Sequence, residues 1–374
     1  MASSNICTLG FFIIMANKRR NFLKSIGYSL LGSSLLLSNK SSASQKTEYK
    51  WKMVTSWPKN FPGLGVGAEN LAKMINHLSN NRIKVKVFGA NELVPPLEVF
   101  DYVSSGGSEM GHSGAYYWKG KSQACQFFSS VPFGLNAQEM NSWLYYGDGL
   151  KLWEKLYDQF NLIPRPAGNT GVQMGGWFNK KINTPSDLKG LKMRIPGLGG
   201  EVLARAGGVP VTLAGSEIFT ALQTGAIDAT EWVGPYNDRA FGLHKAAKYY
   251  YYPGWHEPGP ALECIINKDA YNKLPDDLKY IIDISCKAAN IDMLADYTSK
   301  NNQALQYLVS ENIRIREFPK EVMKFLKKLS KEVVYEVGQT DEITREVYNS
   351  YTKFQAQIIP WTNLSEKSYI SFRE

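Results

Sequence analysis

The chain of 374 residues is poor in the residue types on which zinc enzymes and disulfide scaffolds depend, with only four cysteines and four histidines. Cys7 lies in the amino-terminal segment, and Cys125, Cys264 and Cys286 have no metal-type spacing. These three cannot all pair with one another, so buried free thiols are the commoner state. The sequence also allows one disulfide between two of them as the alternative. The histidines lie too far apart in sequence to form a short zinc motif. A zinc enzyme and a disulfide framework are therefore disfavoured.

Other catalytic signatures are missing as well. The sequence has no G-x-S-x-G nucleophile elbow, no phosphate-binding P-loop and no C-x-x-C-H haem motif. Glycine-rich segments at residues 63–67 and 197–200 do not complete the G-x-G-x-x-G spacing of a dinucleotide site. These observations lower the expectation of an enzyme without excluding one.

The main body also lacks a long apolar run and a basic stripe. After residue 40 there is no run of about 18 apolar residues, so the body is not expected to span a membrane. The net charge falls from +9 to +4 once the five basic residues within residues 1–43 are set aside. The other basic residues are scattered, whereas nucleic-acid binding needs a basic patch, so we expect no nucleic-acid partner.

Residues 1–43 have the pattern of an export signal. A basic region precedes an apolar stretch over residues 26–37, and small residues follow it. The sequence RRNFLK at residues 19–24 matches the twin-arginine signal at nearly every position. Met15 offers an alternative start. We therefore expect a periplasmic protein that is exported by the twin-arginine route and whose mature chain begins near residue 44.

Strand and helix patterns alternate through the first two thirds of the body, which predicts an α/β fold with mainly parallel strand pairing. Predicted strands lie at residues 49–57, 82–88, 172–178, 192–195, 209–211 and 229–233, and predicted helices at 67–79, 97–104, 199–206 and 216–224.

The last third is predicted to be helical. One helix follows Pro275 and runs to about Glu311, a second begins at Pro319, and a third covers residues 341–354. Because this block has no sheet of its own, we expect it to pack across the α/β lobes. A surplus apolar stripe on these helices would suit a homodimer.

Four motifs, in order, give the chain a resemblance to a known family. Residues 215–232 (GSEIFTALQTGAIDATEW) resemble the signature of the extracytoplasmic substrate-binding proteins of TRAP transporters, and residues 192–197 (KMRIPG) resemble the carboxylate-binding strand of that family. Residues 109–118 (EMGHSGAYYW) and 249–257 (YYYYPGWHE) are similar to the branch that binds 2-oxo acids and related monocarboxylates with a metal ion. The resemblance covers residues 48–355.

The resemblance implies a two-lobed, periplasmic-binding-protein-like fold whose lobes close about a hinge, with long C-terminal helices packing across them. It divides the mature chain into a first lobe at residues 44–171, a second lobe at 172–261, and a return to the first lobe at 262–374. The implied function is non-enzymatic. The protein would capture a small organic acid, a 2-oxo or 2-hydroxy monocarboxylate such as pyruvate or lactate, and deliver it to the membrane subunits of a TRAP transporter.

The resemblance also assigns substrate-binding residues. Arg194 matches the arginine that pairs with the substrate carboxylate, a role that suits its planar guanidinium. Gln173, flanked by glycines, matches a glutamine whose amide can serve both ligand and metal. Tyr116 and Tyr117 are expected to line the far end of the site, with core packing as the alternative for either. Asn169 is a weaker substrate-binding candidate.

A metal ion is implied at the same place. Glu231 and the backbone carbonyl of Trp232 match the metal-binding positions of the 2-oxo acid branch, and Glu257 is a further candidate. Oxygen ligands of this kind suit Na⁺ or Ca²⁺ rather than zinc, and two carboxylates would favour Ca²⁺. His256 is a candidate to orient a neighbouring carboxylate.

The rival function is an exported metal-dependent hydrolase or lyase that acts on a small carboxylate. In such an enzyme Glu231 would act as a base, and the metal would keep an open position for water. An enzyme converts its substrate, whereas a binding protein returns its ligand unchanged, so the two functions are separable by experiment.

Overall fold

The computed structural model describes residues 48–373, and the predicted export signal lies outside the described residues. The strands are β1 (Tyr49–Thr55), β2 (Ile83–Phe88), β3 (Met110–Ser113), β4 (Leu162–Asn169), β5 (Gly176–Phe178), β6 (Lys192–Arg194), β7 (Val209–Val211), β8 (Ala229–Thr230), β9 (Tyr249–Tyr252), β10 (Ala261–Asn267) and β11 (Arg314–Glu317). The helices are α1 (Leu64–Leu78), α2 (Val99–Ser104), α3 (Ala137–Tyr146), α4 (Gly149–Asp158), α5 (Gly197–Arg205), α6 (Gly215–Thr224), α7 (Pro235–Ala240), α8 (Leu243–Ala246), α9 (Lys268–Asn272), α10 (Asp276–Ser310), α11 (Lys320–Val337), α12 (Glu342–Thr362) and α13 (Ser368–Arg373).

The strands form two sheets, which define two lobes. Lobe A is built on a five-stranded sheet in the order β2-β1-β3-β10-β4, and lobe B on a six-stranded sheet in the order β11-β9-β5-β8-β6-β7. The two-lobed α/β fold is thus confirmed. The pairing is more mixed than predicted, because β10 runs antiparallel to β3 and β4, and β5 runs antiparallel to β8 and β9.

Periodicity explains which strands the sequence reveals. In β2, Ile83, Val85 and Val87 are buried and the two lysines between them are exposed, the alternation expected of a strand with one covered face. Strand β4 contains two prolines, which are rare within strands, and every residue of β10 is buried, so β10 shows no alternation. Both strands escaped prediction. The predicted strand at residues 172–178 is shorter in the structure, since only the three residues of β5 pair in the sheet of lobe B.

The C-terminal helices pack on both lobes, as expected. Helix α10 is 35 residues long and contacts β4 in lobe A as well as α7. Helix α11 packs on α5 in lobe B, and α12 packs beside α4 in lobe A. Strand β11 also joins the sheet of lobe B, so the chain beyond residue 262 serves both lobes. The exact domain boundaries stay a prediction.

Within residues 48–373, no helix is both long enough and apolar enough to cross a membrane.

Candidate functional site

The site lies where two connecting segments pass between the sheets. Residues 170–175 lead from β4 to β5, and residues 253–260 lead from β9 back to β10. The two segments touch, since the backbone N–H of Gly254 donates to the carbonyl of Gln173 over 2.9 Å. A Cβ at Gly254 would lie 2.3 Å from that oxygen, so only glycine permits the approach. The contact brings Gln173 close to the His256-Glu257 pair.

Arg194 ends strand β6, and its guanidinium is buried, with only 1% of the residue exposed. Its Nε donates to the carbonyl of Leu213 over 3.3 Å, and its Nη2 donates to the hydroxyl of Tyr117 over 3.0 Å. Its Nη1 donates a hydrogen bond to the carboxylate of Glu231 and forms a salt bridge with it. Burial lowers the pKa of Arg194, but Glu231 and the other acidic side chains around it together more than offset that effect, so the pKa lies above its ordinary value. Arg194 is therefore a fixed buried cation.

Three further titratable side chains gather beside it. One potential ligand atom from each of Glu231, His256 and Glu257 lies within 4.8 Å of the other two, and all three residues are buried. Nε2 of His256 lies 3.3 Å from Oε2 of Glu231. Burial and the nearby Glu231 raise the pKa of Glu257 well above its ordinary value, against the opposing effect of Arg194. This crowding of carboxylates is the arrangement that a bound cation relieves.

The amide of Gln173 provides the test of whether a cation fits. Its Nε2 donates to Oε2 of Glu257 over 2.7 Å and to Oγ1 of Thr170 over 3.3 Å. Its Oε1 is buried and has no hydrogen-bond partner in the described part of the chain. A buried acceptor without a donor is costly. Because this free oxygen accompanies two carboxylates, the donor set fits a hard cation such as Na⁺ or Ca²⁺.

The remaining predicted residues lie in different settings. Tyr117 reaches Arg194 from lobe A, and Tyr116 is buried with its ring centroid 4.6 Å from that of Tyr117. The ring of Trp232 lies 5.0 Å from the guanidinium of Arg194. Asn169 has both amide atoms engaged, because it donates to the carbonyl of Gly259 and accepts from the N–H of Gly171. Its contacts are those of a residue that shapes the connecting segment.

Sequence reasoning missed two parts of this arrangement. The carboxylate that His256 contacts is Glu231, which lies 25 residues earlier, rather than its chain neighbour. The carbonyl of Leu213 is a partner of Arg194 that no sequence signal could have identified, because any residue supplies a carbonyl. The first contact joins the segments that follow β8 and β9, and the second depends on the pairing of β6 with β7 in lobe B.

Known proteins resemble the chain over most of its length. Residues 53–341 match the bacterial extracellular solute-binding proteins of family 7, the DctP family. A monocarboxylate 2-oxoacid-binding periplasmic protein of Nostoc is 47% identical over 323 residues, which cover 86% of this chain and 88% of that protein.

Two solved structures are also similar. A TRAP periplasmic solute-binding protein of Colwellia psychrerythraea, with bound calcium and pyruvate, has 45% identity and a TM-score of 0.84, covering 87% of this chain and 99% of that one. One of Pseudoalteromonas atlantica, with bound sodium and pyruvate, has 43% identity and a TM-score of 0.85, covering 87% and 100%. The length of the family match and the identity to the Nostoc protein show that this chain belongs to the DctP family of extracellular solute-binding proteins.

Proposed function

We propose that the protein captures a 2-oxo or 2-hydroxy monocarboxylate, with pyruvate and lactate as the leading candidates, and delivers it to the membrane subunits of a TRAP transporter. The observation that carries this proposal is that Arg194 is buried at the junction of the lobes beside the carboxylates of Glu231 and Glu257, whose oxygens could bind a cation. The 2-oxoacid-binding Nostoc relative and the two pyruvate-bound structures support the same ligand class.

Arg194 is the group to which we assign the ligand carboxylate. A guanidinium binds a carboxylate through two parallel N–H groups, and its burial strengthens the interaction. Tyr117, which already contacts Nη2 of Arg194, would fix the guanidinium orientation, while Tyr116 would line the site beside it. We assign Asn169 to the support of the connecting segment rather than to direct ligand contact.

We further propose that Glu231, Glu257, Gln173 and the backbone carbonyl of Trp232 hold a Na⁺ or Ca²⁺ ion. When bound, the cation offsets the charge of the two carboxylates, which would otherwise repel an anionic ligand. Gln173 supplies a neutral oxygen whose amide is already oriented by Glu257. The two negative charges of Glu231 and Glu257 favour Ca²⁺ over Na⁺.

The rival function, an exported hydrolase or lyase, uses the same cluster. It would need Glu231 free to act as a base, yet the carboxylate of Glu231 is engaged by Arg194 and by His256. This engagement favours binding without turnover. Recovery of pyruvate or lactate unchanged after long incubation, followed by proton NMR, would support the binding protein, and conversion of either acid would support the rival.

We also propose export by the twin-arginine route and a homodimer through the C-terminal helices. The RRNFLK sequence supports the route. The dimer is supported by large apolar side chains exposed near the C-terminus, among them Trp361, Leu364 and Phe372. Several large apolar side chains exposed within one segment are a feature of interfaces between chains.

A thermal-shift screen of residues 44–374 tests the proposed ligand class. The screen uses pyruvate, longer 2-oxo acids, lactate and dicarboxylates, each with EDTA, Na⁺ or Ca²⁺. A ligand at 100-fold above its Kd stabilises the native state by about 2.7 kcal/mol, which is readily measured. Stabilisation by a monocarboxylate together with one cation supports the proposal, and the absence of any shift contradicts it.

A further inference from the structure

Helix α7 lies between the two lobes. Of two adjacent residues on it, one forms hydrogen bonds with lobe B and the other with lobe A and helix α10. Asp238 is buried and faces lobe B, where its Oδ2 accepts hydrogen bonds from Nε1 of Trp177 over 2.9 Å and from the hydroxyl of Tyr250 over 2.7 Å. Trp177 belongs to β5 and Tyr250 to β9. Helix α7 is thereby anchored to the sheet of lobe B.

Asn237, the preceding residue, is also buried and bonds away from that sheet. Its Nδ2 donates to the carbonyl of Pro62 over 2.8 Å, and its Oδ1 accepts from the hydroxyl of Tyr297 over 2.6 Å. Pro62 lies between β1 and α1 in lobe A, and Tyr297 lies on α10. The next residue, Gly63, permits this packing, since a Cβ there would lie 2.5 Å from the Tyr297 hydroxyl.

From this pairing we infer that Asn237 is a positioning residue that holds the lobes closed, through an interlobe hydrogen bond to Pro62 that we call the latch. A helix anchored to lobe B by Asp238 can reach the Pro62 carbonyl only when the lobes are together. Opening the lobes therefore breaks the latch, whereas the bonds of Asp238 stay within lobe B. Neither Asn237 nor Pro62 is among the residues to which we assign the ligand and the cation.

The latch affects binding through the closed state. Helix α7 begins four residues after Glu231, and the contact between Arg194 and Tyr117 also crosses from lobe B to lobe A. Because the closed arrangement forms both the latch and this contact, loss of the latch lowers the population of the state that retains ligand. The inference extends the proposed function and applies to any ligand around which the lobes close.

Two variants separate a latch from a merely structural hydrogen bond. Asn237→Ala removes the interlobe bond together with the bond from Tyr297. Tyr251→Phe is the control, because it removes a buried hydroxyl whose contacts with the Ile182 backbone stay within lobe B. Both should lower the thermal stability, because each deletes buried polar contacts. Spin labels at Lys84→Cys in lobe A and Lys189→Cys in lobe B report the interlobe distance, since both lysines are exposed and Cys125, Cys264 and Cys286 are buried.

We expect Asn237→Ala to increase the dissociation rate of pyruvate about tenfold, measured with saturating Ca²⁺. It should also shift the spin–spin distances toward a longer, open population, both with and without pyruvate. Tyr251→Phe, whose hydroxyl contacts the Ile182 backbone and not helix α7, should change neither. Equal dissociation rates and equal distance distributions for the two variants would overturn the latch. If pyruvate fails to bind the wild-type protein, the proposed ligand is wrong, and the distances measured without ligand still decide the latch.

Discussion

Nε2 of Gln173 donates a 2.7 Å hydrogen bond to Oε2 of Glu257, and this bond fixes which end of the amide is left free. The free end is Oε1, which is buried without a partner among residues 48–373. A carboxylate thus orients a neutral oxygen toward the place where we assign a cation. The pairing explains why a glutamine suits this position, since an amide donates at its nitrogen and offers a neutral oxygen as acceptor.

The first prediction follows from this pairing. Replacing Gln173 with leucine removes the free oxygen, so we expect the affinity for Ca²⁺, measured by isothermal titration calorimetry in the presence of pyruvate, to fall at least about tenfold. Thr170→Val is the matched control, because it removes the other acceptor of the Gln173 amide and leaves Oε1 in place. Equal Ca²⁺ affinities for the two variants would remove Gln173 from the metal site.

The second prediction concerns Arg194. Substitution by lysine keeps a positive charge beside Glu231 but loses the planar pair of donors, so we expect the affinity for pyruvate to fall about 30-fold, or about 2 kcal/mol. The measurement is a calorimetric titration at saturating Ca²⁺, with circular dichroism to verify the fold. An affinity within twofold of the wild-type value would show that the carboxylate binds elsewhere.

The third prediction concerns a buried carboxyl outside the binding site. Burial raises the pKa of Glu263 from 4.5 to about 7, although Trp118 and Tyr157 both donate hydrogen bonds to it. Between these pH values the native state keeps a proton that the unfolded state has lost. The free energy of unfolding should therefore fall as the pH rises from about 4.5 to 7, by about 3 kcal/mol, and stay level above that.

Glu263→Gln removes this titration. Urea denaturation of the wild type and the variant at pH 5 and pH 8 isolates the contribution of Glu263, since the other titrating groups are common to both proteins. We expect the variant to gain stability relative to the wild type at pH 8. If the difference in unfolding free energy between the variant and the wild type is the same at pH 5 and at pH 8, the buried carboxyl of Glu263 is not protonated as we expect.

The fourth prediction tests the proposed dimer. The exposed fraction is 65% for Trp361 and 78% for Leu364, so a charge at either position is compatible with the folded chain. Trp361→Glu should shift the protein from dimer to monomer in size-exclusion chromatography with light scattering. Tyr146→Glu, at a position that is 94% exposed in lobe A, is the control and should have no effect. A monomeric wild-type protein would exclude the dimer at the concentration used.

Much of the fold could be predicted because the relevant patterns are local. Strand β2 alternates buried and exposed residues, and α11 carries an apolar stripe that includes Val322, Leu326 and Val333. The antiparallel pair of β4 and β10 could not be predicted, since β4 contains prolines and the complete burial of β10 erases the period of two.

The binding site divides in the same way. Arg194, Glu231 and Glu257 each lie in one of the four motifs, and Gln173 was matched to the family separately, so the resemblance made all four candidates, and the structure places them near one another. The contact of His256 with Glu231 and the interlobe bond of Asn237 join residues far apart in sequence. No local pattern encodes such pairs, because they depend on the pairing of strands and the packing of one lobe on the other.

In the function that we propose, binding of the acid requires a cation beside Arg194. The most direct test is a calorimetric titration of metal-free protein with pyruvate. The titration is done on residues 44–374 in sodium-free buffer with EDTA, and again after addition of CaCl₂ or NaCl. We predict no measurable binding with EDTA and saturable 1:1 binding once one of the two cations is restored. Pyruvate binding of equal affinity in EDTA and in either salt would contradict the account.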